Sequence, residues 1–350
     1  GFRRVLFRSA TGKVLGTAFS ADLTVTFACE KLGCILYPGH VYAGESVVAD
    51  IGISRKIFEK DSSVCYTFDE TDLPKLLPVR KPDSHKGTYG KVLMITGSSG
   101  MAGAAYLSAK AAYITGAGLV QIYTAKENRG ILQQLLPEAI ISTYTEYDVE
   151  NLHRLLGWAD VVCIGCGLGR TDISEKLVIE TVKSTKTPCV VDADALYVLG
   201  RHMELLKGQE WPFVLTPHMK EMTGLLGCAV QELQEKRFEK IRTFTEQYGV
   251  VCALKDARTL VSKMHRQIFV NIAGNSSMAK AGSGDVLAGV IAGLMAQGLD
   301  CYEAAVCGVY LHACGGDEAR EAKCSYSTLA EDLITGIGTC IKKTEEKMAK

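Results

Sequence analysis

Asn275-Ser276-Ser277-Met278-Ala279-Lys280-Ala281-Gly282-Ser283-Gly284-Asp285-Val286-Leu287-Ala288-Gly289 sets small residues around one carboxylate and runs into an apolar, helix-compatible segment that ends near Gln297. Glycines at 282 and 284 allow positive φ and a close approach of backbone to a ligand, and the free N–H groups of the helix start point at negative charge. Gly282, Ser283 and Gly284 thus read as an anion hole with Asp285 set inside it as an acid or base. The bland alternative for Asp285 is a helix-start carboxylate, favoured by the dipole and without chemistry.

Working outward, apolar runs alternate with helical patterns. Val92–Thr96, Leu119–Tyr123, Val161–Gly165, Cys189–Asp192, Phe213–Thr216 and Val251–Leu254 read as strands, with helices at Ala104–Thr115, Ser174–Ser184 and Glu232–Tyr248 between some of them. That alternation implies an α/β domain with a mainly parallel central sheet covered on both faces, and ligands at the carboxyl ends of the strands. Gly165–Gly169, Asp192 with Asp194, Pro217-His218 and the Lys255 loop all follow strands. Periodicity does not give the strand order.

The wording of several segments, taken in order, narrows this. They are His85-Lys86-Gly87-Thr88-Tyr89-Gly90-Lys91, Gly97-Ser98 with Met101-Ala102-Gly103-Ala104, Gly116–Val120, Gly165-Cys166-Gly167-Leu168-Gly169, Val191–Leu196, Leu215-Thr216-Pro217-His218 with Glu221-Met222, Leu254–Thr259, and the Gly-Ser-Gly-Asp stretch itself. Over roughly residues 70 to 340 the chain resembles the ADP- or ATP-dependent NAD(P)H-hydrate dehydratases of the ribokinase-like superfamily. That resemblance implies a three-layer α/β/α fold. It also implies repair of the S hydrate of NAD(P)H: the terminal phosphoryl of ADP or ATP goes to the ring hydroxyl, phosphate leaves, and the ring double bond returns.

The same resemblance assigns roles. Asp285 would be the base and Gly282, Ser283 and Gly284 the charge sink. Lys255, Asp256, Ala257, Arg258 and Thr259, with Gly284, would hold the nucleotide. Ala104, Gly167 and His218 would touch the hydrated dinucleotide. Asn275 would organise the anion loop, and Asp192 and Asp194 are candidates for Mg2+ or for structural hydrogen bonds. Bland alternatives stand beside these: an exposed charged turn at Lys255, helix–strand packing at Ala104 and Gly167, a loop-capping His218. The chain departs from the family pattern at Cys166, where proline is common, and at Lys220, where glycine is expected.

Ahead of this domain, Ala21–Phe27 and Glu45–Ile53 read as strands in a piece too short for an independent core. Leu36–Gly39, Tyr42–Glu45 and Asp50–Ile53 resemble the last strands of the Rossmann-like NAD(P)H-hydrate epimerase domain, so residues 1–57 are expected to be a truncated remnant without epimerase activity. Leu6-Phe7-Arg8-Ser9 matches what a sequencing adaptor would encode, and residues 1–9 are read as non-native. Residues 58–82, with Pro74, Pro78 and Pro82, suit a linker, leaving 83–345 for the dehydratase domain.

With 39 basic and 39 acidic residues, no global field recruits nucleic acid or an anionic membrane. No segment reaches the roughly 20 continuous apolar residues of a membrane helix. Thirteen cysteines scattered through apolar stretches suit reduced thiols in a cytoplasmic protein. Cys163 and Cys166 have metal-ligand spacing but no second pair. A homo-oligomer stays open. Two other functions remain on the sequence alone: a ribokinase-like kinase for a vitamin precursor, and a catalytically silent nucleotide-binding module. A Rossmann oxidoreductase is disfavoured, because no GxGxxG opens a strand–helix unit with an acid about 20 residues on.

Overall fold

The computed structural model describes residues 7–348 apart from 55, 60 and 62. Residues 1–6 of the end expected to be non-native therefore lie outside the described residues. The chain divides into two compact units, Gly1–Tyr66 and Thr67–Lys350.

In the first unit, β1 (Leu23–Phe27) and β2 (Glu45–Ala49) pair in parallel, with Leu23 opposite Glu45 and Phe27 opposite Ala49. The short helices Leu32–Ile35 and Gly39–Ala43 lie between them in sequence, and Leu36 and Ala43 are fully buried. β2 ends at Ala49, earlier than the run to Ile53 suggested.

The second unit starts at Thr67, inside the stretch expected as a linker. Apolar side chains there are taken up by the unit: the Phe68 ring lies 5.0 Å from Phe269 and 5.7 Å from Tyr310, and Leu73 is buried. Its sheet has nine strands: β3 (Lys91–Ile95), β4 (Leu119–Ala125), β5 (Ile140–Tyr144), β6 (Val161–Ile164), β7 (Cys189–Val191), β8 (Phe213–Leu215), β9 (Val251–Leu254), β10 (Leu260–Ser262) and β11 (Phe269–Val270). Their order is β11-β10-β9-β8-β7-β6-β3-β4-β5. β3 to β9 are parallel, and β10 and β11 add an antiparallel edge. The continuous apolar runs of β6, β7, β8 and β9 are buried at every residue, as strands covered on both faces must be.

Sequence reading missed β5, β10 and β11: Ile140–Tyr144 ends in polar residues, and the other two are very short. Helix Glu232–Tyr248 was expected to be continuous and is broken at Lys236, whose φ of −121° and ψ of 27° separate Val230–Glu235 from Arg237–Tyr248.

Five helices frame the site: α1 (Ala102–Thr115), α2 (Met219–Leu226), α3 (Ser283–Ala296), α4 (Cys301–Ala322) and α5 (Ala330–Met348). From Val286 to Met295 every residue of α3 is buried. Its alanines and glycines let it pack closely on α1, with Gly289 seated against the Ser108 carbonyl. The chain runs outward from β3 to β5 and then returns to place β6 on the other side of β3. This reversal opens a crevice beyond the carboxyl ends of β3 and β6, where open α/β sheets take ligands.

Candidate active site

The crevice is stitched across its floor by backbone. Gly97 N–H donates to the Cys166 carbonyl at 3.0 Å and Ser98 N–H to the Gly167 carbonyl at 2.6 Å. Gly167 has φ of 57°, and a Cβ there would stand 2.6 Å from that of Ala104, so the two small residues named from sequence do face each other. Their smallness serves close packing as well as any ligand.

Farther along the strand ends, β7 delivers Asp192, β8 Thr216 and β9 Lys255. Asp192 Oδ1 accepts from Thr216 Oγ1 and from Lys255 Nζ, both at 2.6 Å, while Oδ2 is turned to Cys166 Sγ at 3.8 Å. Asp192 is 1% exposed, so this carboxylate is buried and needs the ammonium beside it. Burial pushes the Lys255 ammonium toward the neutral form, but the charges of Asp192 and Glu221 outweigh it and hold the pKa above its ordinary value.

Into this cluster α3 brings Asp285. Gly282, with φ of 90°, turns the chain into the helix, and Asp285 lies in its first turn. Burial and the nearby negative charge of Asp192 push its carboxyl up to about 7, against opposing help from the Cys166 thiol and Lys255. A carboxyl poised there exchanges protons near neutrality, which a solvated helix-start aspartate does not. Ser283 Oγ lies 3.3 Å from His312 Nε2 on α4, and burial depresses that imidazole to about 4, so the hydroxyl has an uncharged partner.

Asn275 arranges the loop ahead of α3. Its Oδ1 accepts from Ser277 N–H at 3.0 Å and Ser277 Oγ at 2.6 Å, and its Nδ2 donates to the Gly316 carbonyl at 3.0 Å and to Asp317 Oδ1 at 2.7 Å. Asp194 accepts from Gly169 N–H at 2.8 Å and from Arg170 Nε at 3.1 Å, fixing the glycine loop after β6. His218 caps α2: its Nδ1 accepts from Glu221 N–H at 3.1 Å and its own N–H donates to Glu221 Oε2 at 2.8 Å. The capping alternative therefore describes one of its contacts, and the imidazole remains exposed.

The Lys255–Thr259 loop is less uniform than its sequence suggests. Lys255 N–H donates to the Pro217 carbonyl at 2.8 Å, placing the loop beside His218. Asp256 pairs with Arg237 at 2.9 Å, and Thr259 Oγ1 donates to the Asp256 carbonyl at 3.2 Å. Arg258 is buried and donates to the Ile272 carbonyl at 2.8 Å, an architectural contact. Ala257 N–H donates to Asp256 Oδ1 at 2.9 Å.

Thr216, His312 and Asp317 were not singled out from sequence. Thr216 lies inside a quoted motif. His312 is a polar residue in a largely buried helix, a signal too general to be read as a site.

A doubly wound sheet with a Gly-Ser-Gly-Asp helix start aimed at a lysine–aspartate pair defines a ribokinase-like enzyme. The family described as NAD(P)H-hydrate dehydratase matches residues 92–338, and the chain belongs to it. Over 270 residues the chain is 38% identical to the ADP-dependent (S)-NAD(P)H-hydrate dehydratase of Neisseria meningitidis, a match covering 75% of this chain and 87% of that one. Over 346 residues it is 38% identical to the bifunctional NAD(P)H-hydrate repair enzyme of Moorella thermoacetica, covering 97% of this chain but 65% of the relative's length. The ADP/ATP-dependent NAD(P)H-hydrate dehydratase of Bacillus subtilis, crystallised with ATP and Mg2+, superposes with a TM-score of 0.68 at 29% identity, over 79% of this chain and 97% of that one. No helix among the described residues is long and apolar enough to cross a membrane.

Proposed function

We propose that this chain dehydrates the S form of hydrated NAD(P)H to NAD(P)H, using ADP or ATP as phosphoryl donor. The observation that carries the reading is Asp285: a carboxyl raised to about 7, in the first turn of α3 just after Gly282 and grouped with Cys166 and Asp192, while the Ser283 N–H is taken by the Lys280 carbonyl at 3.3 Å. Asp285 takes the proton of the ring hydroxyl as its oxygen attacks the terminal phosphorus, and the anion hole receives charge on the transferring group. Each well-aimed N–H donor contributes about 10²- to 10³-fold. The phosphorylated ring then expels orthophosphate, the neighbouring carbon gives up its proton, and the double bond is restored. AMP or ADP is left from the donor.

Lys255 neutralises phosphate charge, and the loop through Thr259 lies along the nucleotide. The hydrated dinucleotide lies over the crevice floor at Ala104 and Gly167, and His218 contacts it from the start of α2. Mg2+ suits the site as a companion of the nucleotide. Asp194 is spent on Gly169 and Arg170, and Asp192 Oδ1 on Thr216 and Lys255, so the protein offers no all-oxygen cage and the phosphates and water must supply most ligands. Bound in that way, the ion would neutralise phosphate charge.

The test is one incubation of the purified protein with S-hydrated NADH and each nucleotide. Return of NADH absorbance with release of orthophosphate is expected. A stable phosphorylated product without NADH would instead assign a small-molecule kinase.

A further inference from the structure

We propose that Cys166, Asp192 and Asp285 form a binding site for a thiophilic divalent cation of the zinc or cadmium class, and that its occupancy blocks the site's base. The blocking half rests on the reading of Asp285 given above; the binding half does not. One ligand atom from each of the three residues lies within 4.8 Å of the other two. Around a tetrahedral zinc, sulfur and oxygen ligands stand roughly 3.3–3.8 Å apart, so closure asks each pair to approach by about 1.5 Å at most.

Asp192 is already oriented for this. Thr216 and Lys255 hold Oδ1, and Oδ2 is left facing the Cys166 sulfur. A cation can take Oδ2 without displacing either partner of Oδ1. Charge agrees. With the thiol ionised, one thiolate and two carboxylates against the Lys255 ammonium leave the cup at minus two, which a divalent cation cancels. Binding releases the thiol proton, and any proton held by Asp285, to solvent. Cys166 and Asp192 are buried while Asp285 keeps some solvent access, so the cation enters past Asp285 and completes its shell with water. Mg2+ is disfavoured, since it demands oxygen ligands in octahedral array and a thiolate is too soft for it. Where proline stands at this position, as in the family pattern, no thiolate is offered.

The experiment titrates the reduced, nucleotide-free full chain and its Cys166→Ala and Cys166→Pro variants with Cd2+ and then Zn2+. It reads bound equivalents and the ultraviolet thiolate-to-cadmium band. The parent should bind one equivalent that both variants lose, or hold more weakly than the roughly 10- to 100-fold that loss of an outer-shell partner costs. Equal stoichiometry, affinity and band in all three proteins overturns the site. If both variants fail to fold by circular dichroism, anomalous scattering from zinc-soaked parent crystals decides: a peak among the three side chains supports the site, and its absence overturns it. Zn2+ should also inhibit NADH recovery by the parent, reversibly with chelator, and inhibit Cys166→Ala at least about tenfold less effectively. Binding at Cys166 without inhibition overturns the blocking half. A parent that binds Cd2+ there but never yields NADH sinks the dehydratase reading and leaves the metal site standing.

Discussion

β1 with β2 and the strands β6 to β9 are both parallel arrays of β-branched and apolar residues, yet they meet opposite surroundings. In the nine-stranded sheet Leu93 and Val190 are fully buried, whereas Val25 on β1 is 49% exposed and Phe27 58%. The one buried residue of β1 is Thr26. Parallel strands pair well only where helices cover both faces. The second unit supplies that cover with α1, α3 and α4. The first unit has two short helices, and among its buried apolar residues are Cys34, Leu36 and Ala43. Apolar strand sequence therefore measures what a strand needs, and only the surrounding layers show whether it is met.

Truncation sharpens this contrast most. Leu93→Ala should cost about 2–5 kcal/mol of unfolding free energy, because removed atoms leave a cavity in close-packed surroundings. Val25→Ala should stay within about 0.5 kcal/mol. Denaturant melts of both variants check the pair, and equal losses would break the comparison.

Next in size is Asp285→Asn. It keeps volume and a helix-start hydrogen-bonding group but removes the base, so turnover should fall about 10²-fold or more while ADP affinity stays near that of the parent and the melting temperature does not fall. Turnover within about threefold of the parent, measured as NADH recovery, would remove Asp285 from its role.

A smaller effect follows from pH. The folded-state carboxyl of Asp285 is raised from 3.8 to about 7. The protonated form contributes stability that is complete below the unfolded value and is lost as pH rises through the folded one. Asp285→Asn should therefore gain stability over the parent by roughly 1–4 kcal/mol on going from about pH 4 to pH 8, the upper figure being the full shift and the lower allowing for solvent screening. Melting curves across that range test it, and a difference independent of pH would show that Asp285 is solvated. The same titration predicts a kcat/KM that climbs through neutrality.

The least effect is expected from deleting residues 1–66. Every residue assigned to the site lies in the second unit, so NADH recovery per mole should stay within about twofold, inside the spread of ordinary surface changes. A loss of tenfold or more would show that the first unit acts on the site.

Much of this was legible in the chain itself. Strands β6 to β9 announced themselves as apolar runs, because a strand covered on both faces needs apolar residues throughout. The Gly282 to Asp285 stretch announced a tight turn into a helix, because glycine permits the φ of 90° that the turn into α3 requires. What lay beyond reach were partnerships across sequence distance. Lys255 and Asp192 are 63 residues apart, and Thr216 and Asp192 are 24 apart. Nothing in either segment names the other. The lysine could equally have been an exposed turn, and the buried state of Asp192 decides that it is not. Cys166 looked like a simple departure from proline until β6, β7 and α3 set its sulfur between two carboxylates. His312 came into view only when α4 packed beside the loop. Periodicity records which face of an element is buried. The order β11-β10-β9-β8-β7-β6-β3-β4-β5 decides which elements share that burial, and the raised carboxyl of Asp285 arises from that shared burial.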